Sequence, residues 1–135
     1  MLDFRPATLV PEDKRLNFLP TLFGLSRLIV AENTLYSLMD RLSPDYGGGS
    51  WNFYELEGKP LYLAPDSQSR FRMSWPDNGY QGEVSADAAG IIATMFALSH
   101  LSFRFTDGRF GEGFARLYDH AAGHPEAGEI FQAID

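Results

Sequence analysis

The chain has 135 residues, with 18 acidic side chains against 11 basic ones and a formal net charge of −7. Its 44% hydrophobic and 21% charged content is ordinary globular usage, which excludes disorder as a description of the whole chain. The acidic balance argues against nonspecific binding to phosphate backbones, and the absence of cysteine excludes disulfides, thiolate nucleophiles and Cys-ligated zinc.

The length suits a single domain, residues 1–135, large enough to build a hydrophobic core. The start, Met1-Leu2-Asp3-Phe4-Arg5-Pro6, lacks a positive region followed by an apolar one, so no secretory signal is expected. The longest apolar run, from Ala86 to Leu98, carries Asp87 and Thr94 and is shorter than the roughly 18–20 residues of a membrane span. These features predict a cytoplasmic protein with no membrane association, expected to be a monomer.

Up to Pro11 the chain is punctuated by proline and expected to be irregular. Glu12 to Phe18 carries helix formers, and Pro20 is expected to interrupt them. Ser26 to Leu42 reads as the first long helix. Ser26 is placed to cap it, and Leu28, Ala31, Leu35, Leu38 and Leu42 form one apolar stripe at helical spacing. Ser43-Pro44 ends it, because proline disfavours helical geometry in the residue before it. Asp45 to Ser50, with three glycines, is a flexible connector.

The period then changes. Trp51 to Leu56, Leu61 to Leu63 and Arg70 to Trp75 read as strands of an antiparallel meander, with Tyr80 to Val84 as a shorter fourth. Phe71, Met73 and Trp75 alternate with Arg70, Arg72 and Ser74, giving one buried and one wet face. Ser85 is a good cap for the helix that follows, and Asp87 sits in its first turn, where the helix dipole favours an anion. Ala86, Gly90, Ala93 and Ala97 form a stripe of small residues, while Ile92, Met95, Phe96 and Phe103 lie on other sides. A helix apolar nearly all round is a central one, and its small stripe admits another backbone. After a break at Asp107 to Phe110, Phe114, Leu117, Tyr118 and Ala121 mark a further amphipathic helix. Glu126 to Ile134 is the last short one. The fold class is therefore α+β: a three- to four-stranded antiparallel meander packed with an N-terminal helix and a buried C-terminal helical half.

Catalytic and metal patterns are weak. His120 and His124 are four apart, a spacing found in metal-binding helices, but the glutamate of the H-E-x-x-H motif is missing. A capping role at the helix end is the alternative. His100 reads as a core or cap histidine. Gly47 to Gly49 lacks the Lys-Ser/Thr ending of a phosphate-binding loop, and no G-x-S-x-G nucleophile elbow is present. Glu55, Glu57 and Asp66 are carboxylates around the meander that a glycoside hydrolase could use if they converged. Arg70 and Arg72 among aromatic strands resemble a single-strand nucleic-acid platform, which the net charge opposes.

The run Ser85-Ala86-Asp87-Ala88-Ala89-Gly90-Ile91-Ile92-Ala93-Thr94, followed by Phe96-Ala97-Leu98-Ser99-His100, resembles the hallmark of the ArdB/KlcA antirestriction family. Other pieces fit in order: Phe18-Leu19-Pro20, Phe23-Gly24, Asp45-Tyr46, Gly48-Gly49, Trp51, Phe53-Tyr54-Glu55-Leu56, Ala64-Pro65, Trp75-Pro76, Asn78-Gly79 and His124-Pro125-Glu126. The resemblance covers about residues 15–135; the segment before Lys14 carries no matching motif. It implies a small protein of plasmids and other mobile elements that protects incoming DNA from type I restriction-modification. It implies no enzymatic activity, catalytic residue, metal or cofactor.

Duplex DNA carries about one negative charge per 1.7 Å of axis. Here Arg70, Arg72, Arg104, Arg109 and Arg116 interrupt any comparable array, so DNA mimicry is disfavoured, as is direct DNA binding. Contact with a type I restriction enzyme subunit or a host accessory protein is expected instead, with a small hydrolase as a further alternative. The candidate partner-binding residues are Asp45 and Tyr46 in the glycine-rich connector, and Asp135, whose side chain and terminal carboxylate place two negative charges together.

Overall fold

A computed structural model describes residues 4–135. The elements, in order, are β1 (Thr8–Leu9), α1 (Phe18–Phe23), α2 (Leu28–Leu42), β2 (Trp51–Leu56), β3 (Lys59–Pro65), β4 (Arg70–Trp75), β5 (Tyr80–Ser85), α3 (Ala86–Arg104), α4 (Gly108–Ala121) and α5 (Ala127–Ile134). The antiparallel strands and α+β class follow the expectation, but the strands do not form one meander. They part into a three-stranded sheet, β1-β2-β3, and a separate two-stranded ribbon, β4-β5.

Each hairpin follows from its turn. Glu57 and Gly58, both with positive φ, connect β2 to β3, as expected of a two-residue loop of primed type. Asn78 accepts a hydrogen bond from the Tyr80 amide at 3.0 Å, closing the β4–β5 loop. The proline-rich start is less irregular than expected. Thr8 and Leu9 pair with Glu55 and Tyr54, and the Val10 amide donates to the Phe53 carbonyl at 2.8 Å. A two-residue strand between Pro6 and Pro11 is too short to show a period. Pro20 does not interrupt α1 but lies in its first turn, where a backbone N–H has no intrahelical partner to lose. A 3-10 turn, Leu25–Arg27, contains Ser26, so Ser26 does not cap α2. Asp107 is not a break but the N-cap of α4, accepting from the Arg109 amide at 3.0 Å.

The two sheets part because α3 occupies the edge of β3. The Thr94 hydroxyl, fully buried, donates to the Leu63 carbonyl and accepts from the Leu63 amide, both at 3.3 Å. Those are the groups that a fourth strand would need there. The approach is close because Gly90 has no side chain: a Cβ would collide with the Cα and Cβ of Ala64 and the Leu63 carbonyl. Pro60 and Pro65 fit the same picture, since proline is tolerated on an edge strand. One continuous core, including Phe23, Leu35, Leu63, Ile91, Leu98 and Phe110, runs through both sheets and the long helices.

At 19 residues α3 is longer than the apolar run suggested, and it reaches the length and hydropathy of a membrane span. Its sides pack against α2, α4, α5 and β3, and 67% of its apolar window is buried. It is the core helix, emerging only at its C-terminal end, where Phe103 is exposed.

Helix propensity alone favours Gly90→Ala by about 1 kcal/mol. The collision with β3 backbone reverses that sign, and a net loss of about 1–3 kcal/mol is expected in urea unfolding. Thr94→Val strands the Leu63 amide and carbonyl at comparable cost, about 1–3 kcal/mol. Wild-type midpoints for both variants would disprove the α3–β3 junction.

Candidate functional site

The start of α3 is the most densely bonded polar region among the described residues. Ser85 caps the helix by accepting from the Ala88 amide at 3.1 Å. Its own amide donates to Glu126 Oε1 at 2.9 Å, and its hydroxyl donates to Glu126 Oε2. Two residues on, Asp87 receives the Tyr62 hydroxyl at 2.5 Å and lies 2.7 Å from His124 Nε2. The Glu126 amide donates to His124 Nδ1 at 2.9 Å. Because Nδ1 accepts, the ring proton sits on Nε2 and is given to Asp87. Thus His124 and Glu126, from the turn between α4 and α5, close over the first turn of α3.

The cluster has defined electrostatics. Burial pushes the Asp87 carboxyl up, but hydrogen bonds from His124 and Tyr62 outweigh it and hold the group below the usual carboxylate range. Burial, then the charge of Asp87, pushes the Tyr62 hydroxyl strongly upward, so it stays a donor. His120 is buried, and desolvation with the neighbouring His124 lowers its basicity. Nearby, Tyr80 donates to Glu129 at 2.7 Å and Asn78 donates to the Ala133 carbonyl at 2.8 Å, tying α5 to the β4–β5 ribbon.

The histidine pair does not share one helical face, because α4 ends at Ala121 and His124 lies in the following turn. With both ring nitrogens engaged, His124 has no free position for a metal or for general-base chemistry. Among the described residues, no three His, Asp or Glu side chains are grouped to hold a metal ion. His100 is neither core nor cap; it is exposed, four residues before the end of α3. Glu57 pairs with Arg5 at 2.6 Å beside the hairpin turn, whereas Asp66 lies at the opposite end of β2–β3, 3.4 Å from Asn52 Nδ2. Glu57 and Asp66 therefore do not form a pair around a bond. Arg70 pairs with Glu83 at 2.9 Å and Arg72 with Asp45 at 2.7 Å, so neither offers a free cation to a nucleic acid.

Two of the three partner-binding candidates have structural contacts of their own. Asp45 accepts from the Arg72 amide at 2.8 Å and from its guanidinium, which lowers its carboxyl to about 2. Tyr46 is half-buried, its hydroxyl accepts from Trp51 Nε1 at 3.0 Å, and its ring meets Trp51 edge-on. The connector is thus anchored at its start, while a side chain added at Gly47, Gly48 or Gly49 would point into open space. Asp135 is exposed at the end of α5, and it lies far along the chain from the other two.

A family model described as antirestriction protein matches residues 44–135. Antirestriction protein KlcA of Escherichia coli is 42% identical over 133 residues, which span 96% of this chain and 94% of the relative. This chain belongs to the antirestriction protein family. The putative antirestriction protein YubI of Escherichia coli K12 is 36% identical, across 97% of each chain. The match to KlcA reaches into the segment before Lys14, where no motif was recognisable. A solved structure from work on KlcA and ArdB superposes with a TM-score of 0.84 at 42% identity, covering 100% of this chain and 99% of that one. That work describes a novel fold, and antirestriction activity against type I DNA restriction systems in vivo but not in vitro. The run from Ser85 and the His124-Pro125-Glu126 piece, about 40 residues apart in sequence, meet with Tyr62 in the bonded cluster at the start of α3.

The two titrating groups of this cluster act in the same direction. A depressed carboxylate stabilises the fold above its unfolded value of about 3.9, and that contribution is lost as pH falls through its folded value. The buried His120, of lowered basicity, takes up its proton more readily when unfolded, so it withdraws stability as pH falls below about 6.5. Stability to urea should therefore decline from pH 7 towards pH 3 in two stages. Asp87→Asn should cost about 1–3 kcal/mol at pH 7 and progressively less in acid. A pH-independent difference between wild type and Asp87→Asn would contradict the ionised pairing.

Proposed function

We propose that this protein blocks type I restriction-modification in the host cytoplasm, protecting the DNA of a mobile element, and that it acts as a monomer through contacts with protein. The observation that carries this is similarity to KlcA along nearly the whole chain, in sequence and in fold. The charge arrangement supports protein contacts over DNA mimicry. Arg5, Arg70, Arg72 and Arg109 each lie within 4.0 Å of a carboxylate, so cations interrupt the acidic surface at these points, which an unbroken row of phosphates would not allow. A DNA mimic would also act directly on purified enzyme, whereas the KlcA and ArdB work describes activity in vivo but not in vitro. That contrast supports a host accessory protein as the contact, ahead of a restriction subunit alone. Binding without chemistry fits a cluster in which His124 has both nitrogens engaged.

The partner surface is proposed to include the corner at Asp45 and Tyr46 and the exposed terminus at Asp135. Unmodified phage should plate more efficiently on a strain with an active type I system when this protein is expressed. Asp135→Asn should lower that protection by about tenfold or less while leaving the melting temperature nearly unchanged, and Tyr46→Phe, which keeps the ring but strands Trp51 Nε1, should lower protection similarly with a modest fall in melting temperature. No protection by wild type would reject the function; full protection by both folded variants would move the partner surface elsewhere.

A further inference from the structure

A groove of about 600 Å³ runs between α2 and α3 on the surface away from the bonded cluster's residues. Its lining includes Val30, Ser37, Trp75, Phe96, His100 and Phe103, together with Arg41 and Arg104, and no acidic residue. In a chain of net charge −7 this is an unusual stretch of surface. Arg41 lies over the Trp75 ring, 4.9 Å from its centroid, and Trp75 in turn packs on Phe96 at 4.7 Å. At the other end Arg27 and Arg104 both stand over Phe105, at 4.1 and 5.1 Å. Among the described residues no carboxylate lies within ion-pair distance of these three arginines, unlike Arg5, Arg70, Arg72 and Arg109. A guanidinium laid on an aromatic face is held in place while its N–H fork stays open to a carboxylate. Phe103 is 90% exposed at the groove, and Ile29, beside Val30, is 73% exposed. Of these two only Phe103 lines the groove, and its ring is left almost wholly in water there.

We infer that this groove docks an acidic protein segment carrying an apolar side chain, with Arg41 and Arg104 meeting its carboxylates and Phe103 covering the apolar group. Charge complementarity commits the occupant: the groove offers cations and aromatic surface without a competing anion, the converse of the rest of this acidic molecule. The inference rests on the protein-contact reading above and names the chemistry of the partner.

The test uses the full chain and a fluorescein-labelled peptide in which Glu alternates with Phe and Leu. Controls are the same peptide with Gln for Glu and vesicles containing phosphatidylserine. Fluorescence anisotropy should show the Glu peptide binding more tightly than the Gln peptide, with affinity falling as salt rises. Phe103→Ala and the double variant Arg41→Gln/Arg104→Gln should each weaken binding by about tenfold or more with circular dichroism unchanged, and the double variant should melt only slightly lower because its arginines stack on Trp75 and Phe105 in last helical turns. Equal binding of both peptides, unchanged binding by the folded variants, or preference for the vesicles would overturn the inference. The same variants in the phage assay keep the two ideas apart. If wild type protects and the groove variants protect equally, the groove is rejected while the protein-contact function stands. If wild type fails to protect, the function is rejected and the peptide result alone decides the groove.

Discussion

The architecture depends on the close approach of α3 to β3. A helix backbone can lie against an edge strand only where a side chain is missing, and Gly90 supplies that gap over Ala64 and Leu63. One turn later Thr94 uses a single hydroxyl to satisfy both the amide and the carbonyl of Leu63. Unpaired backbone groups at this depth would each carry a desolvation cost of a few kcal/mol. With them paired, the three-stranded sheet ends at the helix and the next two strands must form their own ribbon. The core helix then has a sheet on one side, α2 and α4 on others, and α5 near its start.

The same helix is held at its beginning by side chains from a distant part of the chain. Ser85 and Asp87 present a hydroxyl, an amide and a carboxylate; Glu126, His124 and Tyr62 meet them. Asp87 suits both the helix dipole and its two donors, while Glu126 places a second carboxylate over the same helix end. These contacts fix the first turn of α3 and the position of α5 together.

Charge is organised differently on different parts of the surface. Around the strands, arginines are drawn into pairs with carboxylates or lie against backbone carbonyls, as Arg116 does with Pro60 at 3.0 Å. Between α2 and α3, arginines instead lie on aromatic rings. An acidic protein with arginines set among its carboxylates is poorly suited to imitate an unbroken phosphate ladder. It is better suited to recognise a partner through a few defined patches, with the field of the remaining acidic charge excluding wrong ones.

The sequence by itself determined the α+β class, the positions of the long helices and the four main strands, the burial of the Ala86-Gly90-Ala93 stripe, and the family. Those follow from hydrophobic period, turn residues and a long distinctive run, which are local properties. It did not reveal β1, because two paired residues carry no period, nor that Pro20 lies within a helix, because a proline's effect depends on which turn it occupies. The division into two sheets was equally hidden, since the alternation in a strand names its buried face but not its neighbour. The candidate sites were decided only by tertiary structure. Asp45 and Tyr46 read as a free loop, but packing brings Arg72 and Trp51 against them; His100 reads as a core or cap residue, but α3 runs past it to Arg104 and leaves it exposed. His124, Glu126, Asp87 and Ser85 form one cluster because packing joins segments about 40 residues apart, and a hydrogen bond between such segments leaves no trace in the spacing of either.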